Sequence, residues 1–341
     1  HIGIFSFNLI VITFFFLPAV FFFKKKTKYL FLGFFTILFF SNYFYGSYKI
    51  NSNKLDTNLN ELNFKIVTAG IDLSEFKDQK LVLTKLILMS EPNKDQKTIF
   101  VWPEGVILDE NFKNLYELKK MIKKNFSEKH LIILGANTKK NENNNTDYFN
   151  SFIVIDKDFN IISQYNKQKL VPFGEFLPFE KILSNFGFKK ITQGYQSFSA
   201  DKQRNIIRLN NFNFLPLICY EIIYSGKINK DKKNYDFILN ISEDGWFGNS
   251  IGPYQHYSHS IFRSIEEGKS VIRSSNNGIS TYINAKGQVV EKILTTDKGF
   301  IELNSFKKSD KTNFSSQGNK IFFYFLSIYI SLIFFFKIRG N

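Results

Sequence analysis

The chain has 341 residues, a net charge of +15, 42 phenylalanines and one cysteine. This length accommodates one large domain with additional elements, and a single cysteine excludes an internal disulfide bond. The lysines are spread along the chain without a dense basic block interleaved with aromatic residues, so the charge argues against a nucleic-acid partner and for attraction to anionic lipid head groups.

Long uncharged apolar segments lie at both ends of the chain. Residues 2–23 form a segment of 22 residues, and residues 29–48 form a segment of 20. A third segment, residues 321–336, has 16 residues and lies between two lysines, whose aliphatic stems extend its reach. Apolar residues on every face favour transmembrane helices over buried core helices. We predict two transmembrane helices within residues 1–48 and a third within residues 320–337.

A short basic loop at residues 24–28 separates the first two predicted helices. Positive loops stay in the cytoplasm, which places the region between the second and third helices outside it. We therefore expect a multi-pass protein of a bacterial inner membrane, with its large domain on the periplasmic side. Because the chain begins with His1 directly on a membrane helix, we also expect further helices before it.

The middle of the chain, residues 64–306, alternates short apolar strands with longer helical segments, a pattern typical of a layered α/β domain. Polar linkers are expected at residues 49–63 and 307–319, and an exposed loop at the Asn-rich residues 141–146. Strands are predicted at 64–68, 98–101, 131–134, 151–155, 161–165, 214–218, 237–241 and 278–283, and helices at 79–89, 111–125 and 254–269.

Three residues with reactive or charged side chains follow predicted strands: Glu104, Lys167 and Cys219. A cysteine nucleophile needs a base to take its proton and a positive or hydrogen-bonding group to hold the developing oxyanion, and these residue types can supply both. Each alone has a simpler interpretation: a solvated or capping glutamate, a surface lysine, a small buried cysteine. Their shared position at strand ends favours one active site.

Longer strings around these residues resemble a known family. Trp102-Pro103-Glu104, Tyr165-Asn166-Lys167 and Cys219-Tyr220-Glu221 resemble the Glu-Lys-Cys signature of the nitrilase, or carbon–nitrogen hydrolase, superfamily. The stretches 170–178, 244–256 and 273–278, with the flanking helices, are similar to apolipoprotein N-acyltransferases within it. The resemblance implies an αββα sandwich domain between transmembrane helices.

The same resemblance implies the roles of the site residues. Cys219 would be the nucleophile, Glu104 the general base and Lys167 the oxyanion-stabilising group, with Glu175, Tyr220 and Glu221 in support. Lys167 is expected to lower the pKa of the thiol, and a nearby carboxylate to keep Lys167 charged. No cofactor and no metal are implied.

The implied reaction has two substrates, both in the membrane: a phospholipid acyl donor and a diacylated lipoprotein whose N-terminal amine accepts the acyl chain through a thioester. A monomer is expected. Two other interpretations remain open, a membrane-tethered amidase or nitrilase-type hydrolase with water as acceptor, and a non-catalytic scaffold that binds lipoproteins.

Some features depart from the family pattern or have two interpretations. The first domain strand, near residues 67–73, lacks the usual tryptophan, and Glu243 stands where asparagine is usual.

Trp246 and Phe247 either line an acyl pocket or belong to the core, and the Phe-rich segment 173–190 is either a lipid-facing flap or a packed loop. His256 and His259 have helical spacing, but nothing at ligand spacing nearby favours a metal site.

Overall fold

A computed structural model describes residues 2–22, 27–51, 57–58, 63–108, 115–142, 145–179, 182, 184–187, 197–209, 212–306 and 311–338. The helices among them are α1 (Gly3–Phe16), α2 (Thr27–Asn51), α3 (Gln79–Ser90), α4 (Tyr116–Asn125), α5 (Gly252–Glu267), α6 (Asn313–Gln317) and α7 (Lys320–Ile338).

Sheet one has six strands in the order β13-β2-β3-β4-β5-β6. Its strands are β2 (Asn63–Thr68), β3 (Thr98–Val101), β4 (His130–Glu142), β5 (Asn145–Ile155), β6 (Ile161–Asn166) and β13 (Gly299–Leu303). Strands β2, β3 and β4 are parallel, while β5, β6 and β13 pair antiparallel with their neighbours. The last strand of the sheet in sequence therefore pairs with the first.

Sheet two also has six strands, in the order β12-β11-β10-β9-β8-β7. Its strands are β7 (Ile207–Leu209), β8 (Phe212–Ile218), β9 (Phe237–Glu243), β10 (Ser270–Asn276), β11 (Ser280–Ile283) and β12 (Val289–Ile293). Its central strands β8, β9 and β10 are parallel. Parallel strands buried on both faces need continuous apolar runs, as in Phe214–Ile218, where every residue is buried.

The two sheets pack face to face over an aromatic core to which both contribute. The rings of Phe214 and Phe237 stack with centroids 5.5 Å apart, and Phe152 of sheet one meets Phe214 at 5.8 Å. Helices α3 and α4 cover the outer face of sheet one, and α5 covers sheet two. This helix–sheet–sheet–helix layering confirms the predicted αββα sandwich.

Several strands differ from the sequence prediction. Of the loop expected at residues 141–146, residues 141–142 belong to β4 and residues 145–146 to β5, which pair up to Glu142 and Asn145, while residues 143–144 lie outside the described residues. For these four residues the prediction of a loop is wrong, because polar residues are tolerated in solvent-exposed strands. Strand β10 was not expected because Ser270, Arg273 and Asn276 interrupt its apolar pattern, although all its residues are buried.

Outside the sandwich, helices of residues 3–22 and 28–51 are long and apolar enough to cross a membrane, and a shorter apolar helix spans residues 320–335. Rings of these helices contact one another, as Phe14 does with Phe39 at 4.1 Å and Phe35 with Tyr329 at 5.4 Å. Within the linkers expected at 49–63 and 307–319, the structure has additional elements. Strand β1 (Thr57–Asn58) pairs with β14 (Ser305–Phe306), and α6 precedes the last helix.

Candidate active site

Cys219 lies at a sharp turn between β8 and the short 3-10 helix Cys219–Ile223. Its φ is +49°, in the left-handed region that costs a residue with a side chain about 1–2 kcal/mol. Such strain persists where surrounding contacts fix the backbone, and it is concentrated at functional sites. The thiol is thus held in one direction at the carboxyl end of a central strand of sheet two.

Glu104 follows β3 at the carboxyl edge of sheet one. Its backbone lies against the neighbouring strand at Gly135, whose N–H donates to the carbonyl of Pro103 at 3.0 Å. A Cβ at Gly135 would be 2.5 Å from Glu104 Cα and 2.6 Å from Gly105 N. This contact therefore requires glycine.

We expect Gly135→Ala to displace the Glu104 turn, since the atoms it meets belong to the backbone and cannot rotate away. The expected cost is about 1–3 kcal/mol of stability and on the order of 10²-fold in any activity that depends on Glu104. Thermal melting and activity measure the two effects. Gly33→Ala is the control, because a Cβ there meets nothing within 4 Å. Equal behaviour of both variants would contradict the assignment.

Lys167 follows β6, and its side chain is 1% exposed. Its Nζ donates to Glu175 Oε1 at 2.8 Å and to Glu104 Oε1 at 3.4 Å. Asn150 joins the same group, since its Nδ2 donates to Glu104 Oε1 at 2.7 Å and to Glu175 Oε1 at 2.8 Å. The second oxygen of Glu104 accepts the backbone N–H of Glu243, at the end of β9, at 3.0 Å. That hydrogen bond joins sheet one to sheet two near Cys219.

The charges of this cluster are unbalanced, with two carboxylates around one ammonium. Burial alone would lower the pKa of Lys167, but Glu175 and Glu104 outweigh burial and hold it above its ordinary value. Lys167 is therefore a permanent ammonium group, as expected from its neighbouring carboxylate.

The same charges act on the thiol. Burial raises the pKa of Cys219, and the charge of Glu104 raises it further, while Lys167 lowers it by less. The expectation that Lys167 lowers the pKa of the thiol is confirmed, but burial and the charge of Glu104 outweigh Lys167, so the net shift of the thiol pKa is upward. The resting thiol is protonated and needs a base at the moment of attack.

We expect alkylation of Cys219 by iodoacetamide to keep rising with pH, without a plateau from about pH 7 to about pH 10, because the thiolate is the reactive form. Lys167→Met removes a charge that lowers this pKa, so its alkylation is expected to be slower at each pH. The rate is followed by mass spectrometry of the only cysteine. A plateau near neutral pH would contradict a protonated resting thiol.

Glu221 lies in the 3-10 helix that begins at Cys219 and is fully buried. Its carboxylate accepts hydrogen bonds from Tyr165 Oη at 2.7 Å, Arg204 Nη2 at 2.7 Å and the backbone N–H of Ile218 at 3.0 Å. The backbone N–H groups of residues 168 and 169 donate to it at 3.0 and 3.2 Å. One carboxylate thus joins the Lys167 loop to the Cys219 turn, without touching either reactive group.

The remaining predicted site residues lie nearer the surface. Tyr220 contacts the ring of Tyr224 at 5.9 Å. Trp246 is 50% exposed and Phe247 36% exposed, in the short 3-10 helix Gly245–Phe247 after β9. The interpretation of Trp246 and Phe247 as core residues is therefore wrong. Of the segment 173–190, the described Phe173, Phe179 and Phe186 are exposed.

Sequence reasoning did not single out Asn150, Arg204, Asp244 or Arg273 for a role at the site. Asn150 and Arg204 stand in strings that carry no recognisable pattern, so no signal could have found them. Asp244 and Arg273 lie within the strings that carried the family resemblance, which was the available signal.

Cys219, Asp244 and His256 offer ligand atoms within 4.8 Å of one another, the spacing of a candidate metal site. The Asp244 and His256 atoms already have partners in this structure. Nδ1 of His256 lies 2.8 Å from Asp244 Oδ1, and Asp244 Oδ2 accepts from Arg273 Nη2 at 2.7 Å. A buried cation would have to displace these hydrogen bonds beside a positive guanidinium, so the residues fit a metal poorly.

Comparisons with known proteins point in one direction. Apolipoprotein N-acyltransferase of Rhizobium leguminosarum is 37% identical over 228 residues, 64% of this chain and 42% of that protein. The same enzyme of Wigglesworthia glossinidia brevipalpis is 34% identical over 267 residues, 77% of this chain and 52% of that protein. The chain thus spans about half the length of the curated relatives it matches.

The fold has a counterpart among solved structures. Saccharomyces cerevisiae Nit3, a member of branch 10 of the nitrilase superfamily, is 14% identical with a TM-score of 0.51, covering 75% of this chain and 93% of that one. The family model for carbon-nitrogen hydrolases matches residues 75–301, which include Glu104, Lys167 and Cys219. With its two-sheet sandwich and this match over most of its length, the chain belongs to the carbon–nitrogen hydrolase family.

Proposed function

We propose that this chain is an acyltransferase of lipoprotein maturation. It would move a fatty acyl chain from a membrane phospholipid, through a thioester on Cys219, to the N-terminal amine of a diacylglyceryl-cysteine. The observation that carries the proposal is the convergence of Glu104, Lys167 and Glu175 beside the strained turn of Cys219. The names of the relatives give the acceptor class.

The first half-reaction cleaves the sn-1 ester of a phospholipid such as phosphatidylethanolamine. Glu104 takes the proton of the thiol as the sulfur attacks the ester carbon. A base is needed because the raised pKa of Cys219 keeps the resting thiol protonated. Lys167, a permanent cation, and the backbone N–H of Tyr220 stabilise the tetrahedral oxyanion. When the C–O bond breaks, Glu104 returns the proton to the leaving oxygen, and a lysophospholipid departs.

The second half-reaction uses the amine of the lipoprotein as nucleophile. The amine attacks the thioester carbon, Glu104 accepts its proton, and Lys167 again stabilises the oxyanion. The C–S bond breaks, an amide forms, and the proton on Glu104 returns to the sulfur. Glu175 would keep Lys167 in place between the two steps, since its other oxygen is fixed by the N–H of Val171 at 2.9 Å.

Both substrates are membrane-anchored, and we propose that α1, α2 and α7 hold the domain on the periplasmic face of a bacterial inner membrane. Tethering raises the effective concentration of partners in the same bilayer. The exposed Trp246 and Phe247 would line the entry of the acyl chain, and Phe173 and Phe179 would contact the lipid surface. The protein is proposed to act as a monomer without a cofactor.

A hydrolase with water as acceptor would use the same residues for its first half-reaction. The experiment that separates the two incubates the full chain in phospholipid micelles with a labelled donor and a diacylated lipopeptide. Triacylated lipopeptide, detected by mass spectrometry, is the expected product. Release of free fatty acid alone would favour the hydrolase, and absence of both products would favour a non-catalytic scaffold.

A further inference from the structure

The backbone of Cys219 is fixed from outside its own turn. Its φ of +49° is unfavourable for a residue with a side chain. Its carbonyl oxygen lies 3.1 Å from Nε2 of His256, which lies on α5 in the layer outside sheet two. A carbonyl oxygen only accepts hydrogen bonds, so Nε2 carries a proton and donates it.

The other face of the imidazole is held equally firmly. Nδ1 of His256 lies 2.8 Å from Oδ1 of Asp244, and Oδ2 of Asp244 accepts from Arg273 Nη2 at 2.7 Å. Arg273 also donates to the side chain of Asn240 and, from Nε, to the carbonyl of Ile279 at 3.3 Å. His256 is 3% exposed, and Asp244 and Arg273 are fully buried, so solvent does not compete for these bonds.

The partners decide the protonation of the ring. Burial would raise the pKa of Asp244, but Arg273 and His256 outweigh burial and hold it well below its ordinary value, so Asp244 is a carboxylate. A carboxylate accepts only, and the 2.8 Å contact therefore places a proton on Nδ1 as well. Arg273 Nη2, 3.2 Å from Nδ1, has its closer partner in Asp244.

With Nε2 directed at the carbonyl of Cys219 and Nδ1 at Asp244, both ring nitrogens of His256 have partners other than the thiol. The ligand atoms of Cys219, Asp244 and His256 lie within 4.8 Å of one another, as in a Cys-His-Asp triad. The hydrogen bonds differ from those of a triad, in which the histidine accepts the proton of the nucleophile. Nε2 of His256 donates a hydrogen bond to the carbonyl of Cys219. Glu104 remains the proposed base for the proton of the thiol.

We propose that His256, held by Asp244 and Arg273, is a positioning residue that fixes the backbone of Cys219 and hence the direction of its thiol. The proposal rests on the proposed role of Cys219 as nucleophile. It assigns His256 no proton transfer and no contact with substrate. A donor of the same reach, such as the amide of glutamine, should therefore replace it.

The test compares His256→Gln with His256→Ala in the full chain, with His259→Gln as the matched control on the same helix. We expect alanine to lower the kcat of acyl transfer by about 10- to 100-fold, with KM changed by less than about threefold, because misplacing a reacting atom costs rates of this order. Glutamine is expected to stay within about fivefold of the wild type. The rate of Cys219 alkylation by iodoacetamide at fixed pH should follow the same order.

Alkylation needs no lipid substrate, so it tests His256 even if acyl transfer is absent and the proposed function fails. Loss of alkylation in His256→Gln as severe as in His256→Ala would overturn the positioning role, and so would an unaffected alanine variant. The melting temperature of both variants is measured to show whether each of them folds. If the alanine variant does not fold, near-wild-type rates in the glutamine variant support the proposal, and loss of those rates overturns it.

Discussion

Acyl transfer by Cys219→Ala is expected to fall by on the order of 10⁴-fold or more, because removal of a nucleophile leaves only substrate binding and oxyanion stabilisation. The chain contains no second cysteine that could take over. Incubation with acyl-labelled phospholipid should leave the label on the wild-type protein as a thioester, which neutral hydroxylamine releases. The variant should carry no label.

The control for this experiment is Glu104→Gln, which keeps the thiol but removes the proposed base. It is expected to form the thioester more slowly by about 10²- to 10⁴-fold, rather than not at all. The substitution removes a single sulfur atom and keeps Cβ, so the alanine variant should melt close to the wild type. Residual acyl transfer by Cys219→Ala at the rate of the wild type would contradict the whole mechanism.

The largest expected effect on stability is that of Glu221→Ala. Removing this carboxylate leaves the guanidinium of Arg204, 8% exposed, without its ion-pair partner, and leaves the hydroxyl of Tyr165 without its acceptor. Breaking a buried ion pair on one side costs about 3–5 kcal/mol. Denaturant unfolding of the variant in detergent measures the loss in free energy of unfolding.

Two further variants show whether the ion pair is the cause. Glu117→Ala, on the exposed face of α4, should change the free energy of unfolding by no more than about 0.5 kcal/mol. The double variant Glu221→Ala with Arg204→Ala should be destabilised by less than the sum of the two single variants, because no charge is left unpaired. Strict additivity would mean that the two side chains are not coupled.

Patterns of the sequence were sufficient for the layers of the fold and for the residues that the structure brings together at the candidate site. Apolar runs such as residues 98–101 and 237–241 match strands β3 and β9, because strands buried on both faces need continuous apolar side chains. Strand β10 was not predicted because it contains the charged residue Arg273. The ion pair of Arg273 with Asp244 compensates its charge and allows it to be buried. That pairing depends on residues 29 positions apart, which no local pattern reports.

The same limit applies to the site. Glu104, Lys167 and Cys219 could be proposed because each follows a predicted strand, whereas Asn150 lies inside β5 and has no distinguishing neighbours. The net direction of the thiol pKa also depended on burial, its largest cause, and on the charge of Glu104. Glu104, Lys167 and Glu175 were all expected at the site, but the burial of the thiol depends on the packing of the folded domain, which no local pattern reports.

The strand order has a consequence for how the protein is made. Glu104 and Lys167 follow strands of sheet one and Cys219 follows a strand of sheet two, and the edge strand β13 that pairs with β2 is the last strand of the two six-stranded sheets. A ribosome delivers all three site residues well before residues 299–303, and domains generally fold as units. During synthesis the incomplete chain therefore lacks the assembled cluster around Cys219. The proposed acyl transfer can begin only once β13 has joined sheet one and the domain has folded.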